Sequence, residues 1–492
     1  VLHRHQIREQ TVNTHFPLKF SRLASAGIFL ALLALLFAGC AVGPDYKKPA
    51  APTPPGWGWK QTQPQAATIQ DDWWRLFQDP VLDQLETQAT GSNQLLQVAV
   101  ARVDASRAVA RINAANFFPQ LSAAPSVARL QTQLNHVPSR LTATAYTLPL
   151  DFSYEVDLWG KIRRSFESAQ AQAQASVADY YQVLLVLHGD VAINYFQLRQ
   201  LDEQITLLQE TLALREKSVR ITNERFRAGL APELDADRAR TEAAQTRTTL
   251  IEAQRQRADL QNALALLCGQ PAASFQIQPS RQPVRVPTVP VGLPSALLER
   301  RPDVAEAERQ MAAANAQIGV AKAAFFPAIA LTGDAGYASF HTSSLLDWES
   351  QFFQLGPSVT VPILNGGRLK AGLKQARSVY QAACARYQQQ VLTAFKDVSD
   401  SLADLDGYAR QAVSETDAEQ TASHAASLSR ERYTRGLTDY LDVLEAERTQ
   451  LQTQSQIVQI HSLQLISTVR LIKALGGGFA ADTLTTGNNP QR

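Results

Sequence analysis

From Leu148 to Leu158 the chain alternates strictly: Leu148, Leu150, Phe152, Tyr154, Val156 and Leu158 are interleaved with Pro149, Asp151, Ser153, Glu155 and Asp157. A period of two puts the apolar set on one face of a strand and the acidic set on the other. A softer alternation sets Phe353, Leu355, Val359, Val361 and Ile363 against Gln354, Gly356, Ser358, Thr360 and Pro362. Elsewhere apolar residues recur at three and four, with Ala and Gln between them, which is the helical period. The pattern predicts helices over 80–116 and 302–323, each stopped by a Phe-Phe-Pro, because proline cannot continue a helix. Very long helices follow over 161–227 and 368–434. After breaks at Gly229 and Gly436 the pattern resumes over 232–268 and 439–475. Helices this long must pack lengthwise against one another.

The pattern occurs twice. Asn116-Phe117-Phe118-Pro119 returns as Ala324-Phe325-Phe326-Pro327, an offset of 208 residues between Pro119 and Pro327. Trp159-Gly160-Lys161 returns as Gly366-Gly367-Arg368, and Glu224-Arg225-Phe226-Arg227-Ala228-Gly229-Leu230 as Glu431-Arg432-Tyr433-Thr434-Arg435-Gly436-Leu437, both at 207. Three motifs that return at 207 or 208 residues mark a duplicated unit. The expected division is a first repeat over 71–269 (helix, two strands, long helical hairpin), a Pro-rich linker or equatorial region over 270–300, a second repeat over 301–478 and a flexible tail over 479–492.

Eleven alternating residues are the span a tilted strand needs to cross a bilayer, with lipid on the apolar side and water on the acidic side. A soluble sheet with one wet face would alternate in the same way. The amino terminus separates the two readings. Arg4, Arg8, Lys19 and Arg22 precede an apolar run from Leu23 to Ala38, which ends in Phe37-Ala38-Gly39-Cys40. A basic stretch, a short apolar stretch and small residues describe a secretory signal over 1–39, removed on export. Small residues directly before a cysteine resemble the lipobox of bacterial lipoproteins, which makes Cys40 the candidate lipidation site; Phe37 departs from the Leu usual there. The other reading is an unlipidated signal or an uncleaved anchor. Residues 40–70, with Pro44, Pro49, Pro52, Pro54, Pro55 and Pro64, read as a lipidated tether. Export, and no long apolar helix after the signal, favour a barrel. Four strands in one chain would leave open edges in lipid, so closure requires several chains.

Composition narrows the function. A formal net charge of +2 creates no field for a polyanion, so nucleic acid is not a partner. Cys40, Cys268 and Cys384 form neither a disulfide framework nor a metal set, and the eight histidines are scattered, so no metal and no cofactor other than the covalent lipid on Cys40 is expected. No phosphate loop or nucleophile motif is present, and the chain does not read as an enzyme.

Several segments together resemble the TolC-like outer membrane factor family, in its lipoprotein branch of the OprM and NodT type. They are Cys40-Ala41-Val42-Gly43-Pro44-Asp45-Tyr46, Tyr154-Glu155-Val156-Asp157-Leu158-Trp159-Gly160-Lys161, Arg301-Pro302-Asp303-Val304, Ala323-Ala324-Phe325-Phe326-Pro327 and Lys473-Ala474-Leu475-Gly476-Gly477-Gly478. The resemblance implies a mainly α fold with a transmembrane β-barrel. In it, a homotrimer shares twelve strands, four per chain, above a long α-helical barrel. Sequence alone does not choose three chains over four; the resemblance does. It also implies the exit duct of a tripartite efflux pump in the outer membrane, passing small molecules such as drugs, with a periplasmic adaptor and an inner-membrane RND-type pump as partners. Ala41 after the cysteine favours the outer membrane, with a large periplasmic portion. The alternative keeps the duct but assigns it to a type I protein-secretion system.

The candidate site residues follow. Ala228, Gly229 and Leu230, with Arg435, Gly436 and Leu437, form the hairpin ends, where the resemblance places adaptor docking; any helical hairpin needs such a turn. Asp442 and Glu445, three apart on one helix face, match the family's acidic aperture and would act as a gate and a cation filter. They would equally make a favourable acidic first turn. Asp235 corresponds to Asp442, but Arg238 stands in place of Glu445. Pro232 is expected as the first helical residue and Thr438 as the N-cap of the resumed helices. Trp159, at the end of the alternating strand, is the expected membrane-interface aromatic.

Overall fold

Ala, Gln, Glu and Arg between apolar positions favour long unbroken helices. A computed structural model of the chain describes residues 41–49, 69–133, 140–280, 284–289 and 299–480. Its helices are α1 (Pro80–Ser92), α2 (Gln94–Ala115), α3 (Lys161–Arg227), α4 (Glu233–Leu267), α5 (Pro302–Ala323), α6 (Arg368–Thr434) and α7 (Tyr440–Ala474). Both α3 and α6 have 67 residues, and both α4 and α7 have 35. Their first residues, 161 and 368, and 233 and 440, keep the offset of 207.

The helix predicted over 80–116 is two helices. Asn93 leaves the helical conformation (φ −68°, ψ 124°), its Oδ1 accepts from the Leu96 amide at 3.0 Å, and its amide nitrogen donates to Leu267 O at 2.9 Å. A short polar side chain that competes for backbone groups breaks a helix in this way. The resumed helices also start one residue later than expected. Pro232 is the cap of α4 rather than its first residue, and Asp439, not Thr438, is the cap of α7; neither side chain bonds a backbone amide.

The strands are β1 (Gln120–Ala123), β2 (Ser126–Gln133), β3 (Arg140–Val156), β4 (Ala328–Ser339) and β5 (Gln351–Thr360). Both β1 and β2 pair antiparallel with β3, at Leu121↔Phe152 and Val127↔Tyr146, so they share one position in the sheet, interrupted at Ala124-Pro125. Proline has no amide to give the ladder. The order continues β3-β4-β5, antiparallel throughout. Five strands thus occupy four positions. The strand β3 ends at Val156, and the side chain of the next residue serves the following helix. The Asp157 carboxylate accepts from the Ile162 and Arg163 amides at 3.0 and 2.9 Å, capping α3.

The described chain divides into two compact units. The first comprises its residues up to Asp45 with Ile112–Glu167 and Ala316–Ala376, and holds the whole sheet. The second comprises the described residues of Tyr46–Arg111, Ser168–Asn315 and Arg377–Arg492. Its larger core gathers Trp73, Phe77, Leu82, Tyr195, Phe196 and Ile472, and a second cluster includes Met311, Tyr387 and Val391. Arg301, buried at the start of α5, pairs with Asp303 at 2.5 Å and Asp397 at 3.1 Å and donates to Ala474 O at 3.2 Å. The Arg-Pro-Asp motif therefore ties α5 to α6 and to the unpaired carbonyls at the end of α7. Gly476, at φ +94°, lies so close to Arg300 O that a Cβ would fall 1.8 Å from it. Among the described residues no helix is long and apolar enough to cross a membrane.

Candidate functional site

Register divides the sheet residues between two faces, since directly opposed residues of an antiparallel pair project together. Leu148, Leu150, Phe152, Tyr154 and Val156 oppose Tyr337, Ala335, Gly333, Leu331 and Ile329. These in turn oppose Gln351, Phe353, Leu355, Pro357 and Val359. This face is apolar across β3, β4 and β5, and Phe353 is 86 % exposed on it. The other face carries Asp151 opposite Asp334, Ser153 opposite Thr332, and Gln354 opposite Asp334. The polar side predicted from β3 alone thus extends over three strands.

Trp159 stacks on Phe326 with centroids 4.7 Å apart, and its indole N–H donates to Pro327 O at 2.8 Å. The two Phe-Phe-Pro copies therefore differ in use: the second supplies the wall for this tryptophan. Cys40 lies outside the described residues, but the chain just after it is held. The Val42 amide donates to Trp159 O at 3.1 Å, and Asp45 pairs with Arg164 at 2.5 Å.

At the other site, both helical hairpins end in the same turn. Gly229 N–H donates to Phe226 O and Leu230 N–H to Arg225 O, at 2.9 and 2.8 Å; Gly436 and Leu437 repeat this on Tyr433 and Arg432, both at 2.9 Å. This closure requires a left-handed residue, and the glycines supply φ +69° and +75°. Nothing lies within 4 Å of where a Cβ would stand at either glycine. Ala228 and Arg435 are exposed, and Leu230 and Leu437 are 70 % and 63 % exposed, so each turn offers a bare leucine to solvent.

Asp442 and Glu445 are both exposed on α7, while Val443 and Leu444 between them are buried. The Thr438 hydroxyl donates to the Asp442 carboxylate. Both acids line an open groove of about 510 Å³ with Thr438, Thr449, Leu428 and Arg432. Arg432, on α6, places a cation in the acidic groove. Asp235, at the equivalent position of α4, stands in a different environment: it is mostly buried, lies 3.8 Å from Arg238, and burial raises its carboxyl pKa, with Arg238 opposing.

Behind the groove lies a network that sequence reasoning missed. Glu242 of α4, nearly fully buried, pairs with Arg215 of α3 at 2.9 Å and receives Arg448 Nε of α7 at 3.0 Å. Arg430 of α6 pairs with Glu447 at 3.3 Å, and burial raises the Glu447 carboxyl against the pull of Arg430 and Arg215. Tyr433 and Tyr440 meet at 5.4 Å, with the Arg225 guanidinium 4.8 Å over the Tyr433 ring. All four long helices are thus cross-tied near the hairpin ends. A hint was available: Glu242 lies on the same helical face as the buried Ala239 and Ala243, a carboxylate among alanines. Among the described residues no cluster of His, Cys, Asp and Glu could hold a metal.

Comparison with known proteins places this arrangement. The outer membrane efflux protein family profile matches residues 85–270 and 293–477. The solvent efflux pump outer membrane protein SrpC of Pseudomonas putida is 34 % identical over 457 residues, 91 % of this chain and 97 % of that protein. The structure of the outer-membrane channel OprN superposes with a TM-score of 0.84 at 31 % identity, covering 89 % of this chain and 99 % of that one. The open state of the Neisseria gonorrhoeae MtrE outer membrane channel gives 0.76 at 29 %, over 90 % and 100 %. The family consists of channels and not enzymes. A largely helical chain with a partial sheet, matched along nearly its whole length, belongs to the TolC-like outer membrane efflux protein family and is the outer-membrane channel component of an RND-type tripartite efflux pump.

Proposed function

We propose that three copies of the chain close one twelve-stranded barrel, and that cargo leaves through it after passing an aperture ringed by Asp442 and Glu445. The observation that carries this reading is the two-faced sheet. Its apolar face covers three strands, its opposite face bears Asp151 and Asp334, and among the described residues its first and last positions, β1 with β2 and β5, each pair on one side only. Unpaired edges are not tolerated in lipid, and neighbouring copies would supply the missing partners. Three copies of Asp442 and Glu445 would concentrate negative charge where the passage is narrowest, favouring cations. Arg432 of α6, lining the same groove, tempers that field.

The exposed Leu230 and Leu437, with Ala228, Gly229, Arg435 and Gly436 shaping their turns, form the docking points for the periplasmic adaptor. The chain is organised as the two repeats 71–269 and 301–478 around the 270–300 region, with 1–39 removed, 40–70 as the tether and 479–492 as the tail. A lipid on Cys40 anchors it, and Trp159 stands at the periplasmic edge of the bilayer. SrpC is named for solvent efflux, and small apolar organic molecules are the cargo this reading favours. Native mass spectrometry of the detergent-extracted protein tests the assembly. Three chains per particle are expected, and a monomer or a tetramer would overturn it.

A further inference from the structure

The apolar sheet face has two aromatic ends. Trp159 and Phe326 stand at one, and Tyr146 and Tyr337 at the other. From Pro327 to Tyr337 the strand advances ten residues, about 33 Å at roughly 3.3 Å each. At a tilt of about 45° this spans roughly 23 Å of depth, close to the apolar band of an outer-membrane barrel. The chain then enters a loop that leaves Phe340, Leu346 and Trp348 exposed by 61 %, 71 % and 80 %. The loop is built, not loose. Ser339 and Ser344 hydroxyls lie 2.8 Å apart, the Ser350 hydroxyl donates to Ser344 O at 2.6 Å, and short 3₁₀ turns occupy Thr342–Ser344 and Trp348–Ser350.

We propose that this loop is a second membrane contact, with Phe340, Leu346 and Trp348 resting on the headgroup region of the outer leaflet beyond the Tyr146–Tyr337 girdle. The proposal rests on the barrel reading above. Continuity selects lipid as the occupant. The loop stands on Tyr337 and Gln351, a directly opposed pair on the apolar face whose side chains bond at 3.3 Å, and Phe353 continues that face. A tryptophan is suited to this depth, because its ring is apolar while its N–H needs a polar partner. Asp347 and Glu349 flank Trp348, and their charges keep the loop at the surface rather than in the hydrocarbon.

The test is fluorescence of the full-length protein in phosphatidylcholine bilayers, with the Trp348 and Trp159 components isolated by difference against Trp348→Phe and Trp159→Phe. Lipid brominated near the headgroup end of its acyl chains should quench most of the Trp348 component, and lipid brominated near the terminal methyl should quench little. Trp159 should also be quenched. If Trp159 is quenched while Trp348 responds only to aqueous acrylamide, or to neither quencher, the loop lies in water or against protein and the proposal fails alone. If neither tryptophan responds to bromolipid, the barrel reading fails with it.

Discussion

Glu242 of α4 and Arg448 of α7 meet across two hairpins, with Arg448 Nε 3.0 Å from Glu242 Oε1 and Arg215 of α3 on the other carboxylate oxygen at 2.9 Å. The acid is buried and Arg215 with it, whereas Arg448 is half exposed. Glu242→Gln should therefore destabilise the folded chain by roughly 3 kcal/mol, because a buried guanidinium loses its partner. Arg448→Ala should cost about 1 kcal/mol or less, since its charge is solvated. Urea denaturation of the two variants checks the ranking; equal losses would contradict it.

The buried Glu86–His188 pair fixes a pH profile. Glu86 Oε2 lies 2.6 Å from His188 Nδ1, and Trp74 stacks on the imidazole at 4.3 Å. Burial holds the Glu86 carboxyl well above 4.5, with Asp83 adding to the rise, and lowers His188 from 6.5 to about 4. The folded pair thus keeps one proton. Between 4.5 and 6.5 the unfolded chain also holds one, as a histidinium and a carboxylate, so this pair adds no slope there. Above 6.5 the unfolded pair has lost its proton, so over the range where burial keeps the Glu86 carboxyl protonated stability falls as pH rises. Between 4.5 and about 4 the unfolded pair binds a second proton before the folded one does, and stability falls as pH drops. Glu86→Gln should abolish the pair's alkaline decline, which denaturant midpoints across pH would reveal.

Phe352 and Phe353 are neighbours on opposite faces of β5: Phe353 opposes Ala335 on the apolar side, and Phe352 opposes Gly336 on the polar side. Phe353→Arg, two residues inside the Tyr337–Gln351 end of the face, should cost roughly 1–2 kcal/mol and reduce assembly into the membrane. Phe352→Arg should assemble far better. The yield of detergent-extracted assembled protein separates the two, and equal yields would deny that the faces differ.

Leu230→Ser and Leu437→Ser remove exposed side chains from turns whose backbone bonds they do not make. Each should change stability by less than about 0.5 kcal/mol while lowering adaptor cross-linking. Normal cross-linking would leave these ends as turns and nothing more.

The features legible in the sequence were those written locally. The breaks at Gly229 and Gly436 were readable because a helix that stops in a left-handed turn needs a residue without a Cβ, and the limits of α3, α5 and α6 followed from Pro, Gly and periodicity. Asn93 had a local signal in Gly91-Ser92-Asn93, a cluster of helix breakers, but the apolar spacing continues across it, and its bond to Leu267 O, distant in the chain, shows what it does. The split between β1 and β2 at Ala124-Pro125 was also overlooked, since neither short strand alternates clearly. Asp442 and Glu445 could be picked out because they repeat a family pattern on one face. Arg432 in their groove, and Glu242 with Arg215 and Arg448, could not, because sequence periodicity tells which face of a helix is buried but not which helix covers it.

The central claim is a conducting assembly whose passage is set by Asp442 and Glu445, and single-channel recording in planar bilayers tests it most directly. Asp442→Asn with Glu445→Gln should shift the reversal potential in a salt gradient toward weaker cation preference. It should also raise the closed-state conductance, because the Thr438 hydroxyl loses its carboxylate acceptor at the start of α7. Unchanged reversal potential and unchanged conductance in the double variant would contradict the account.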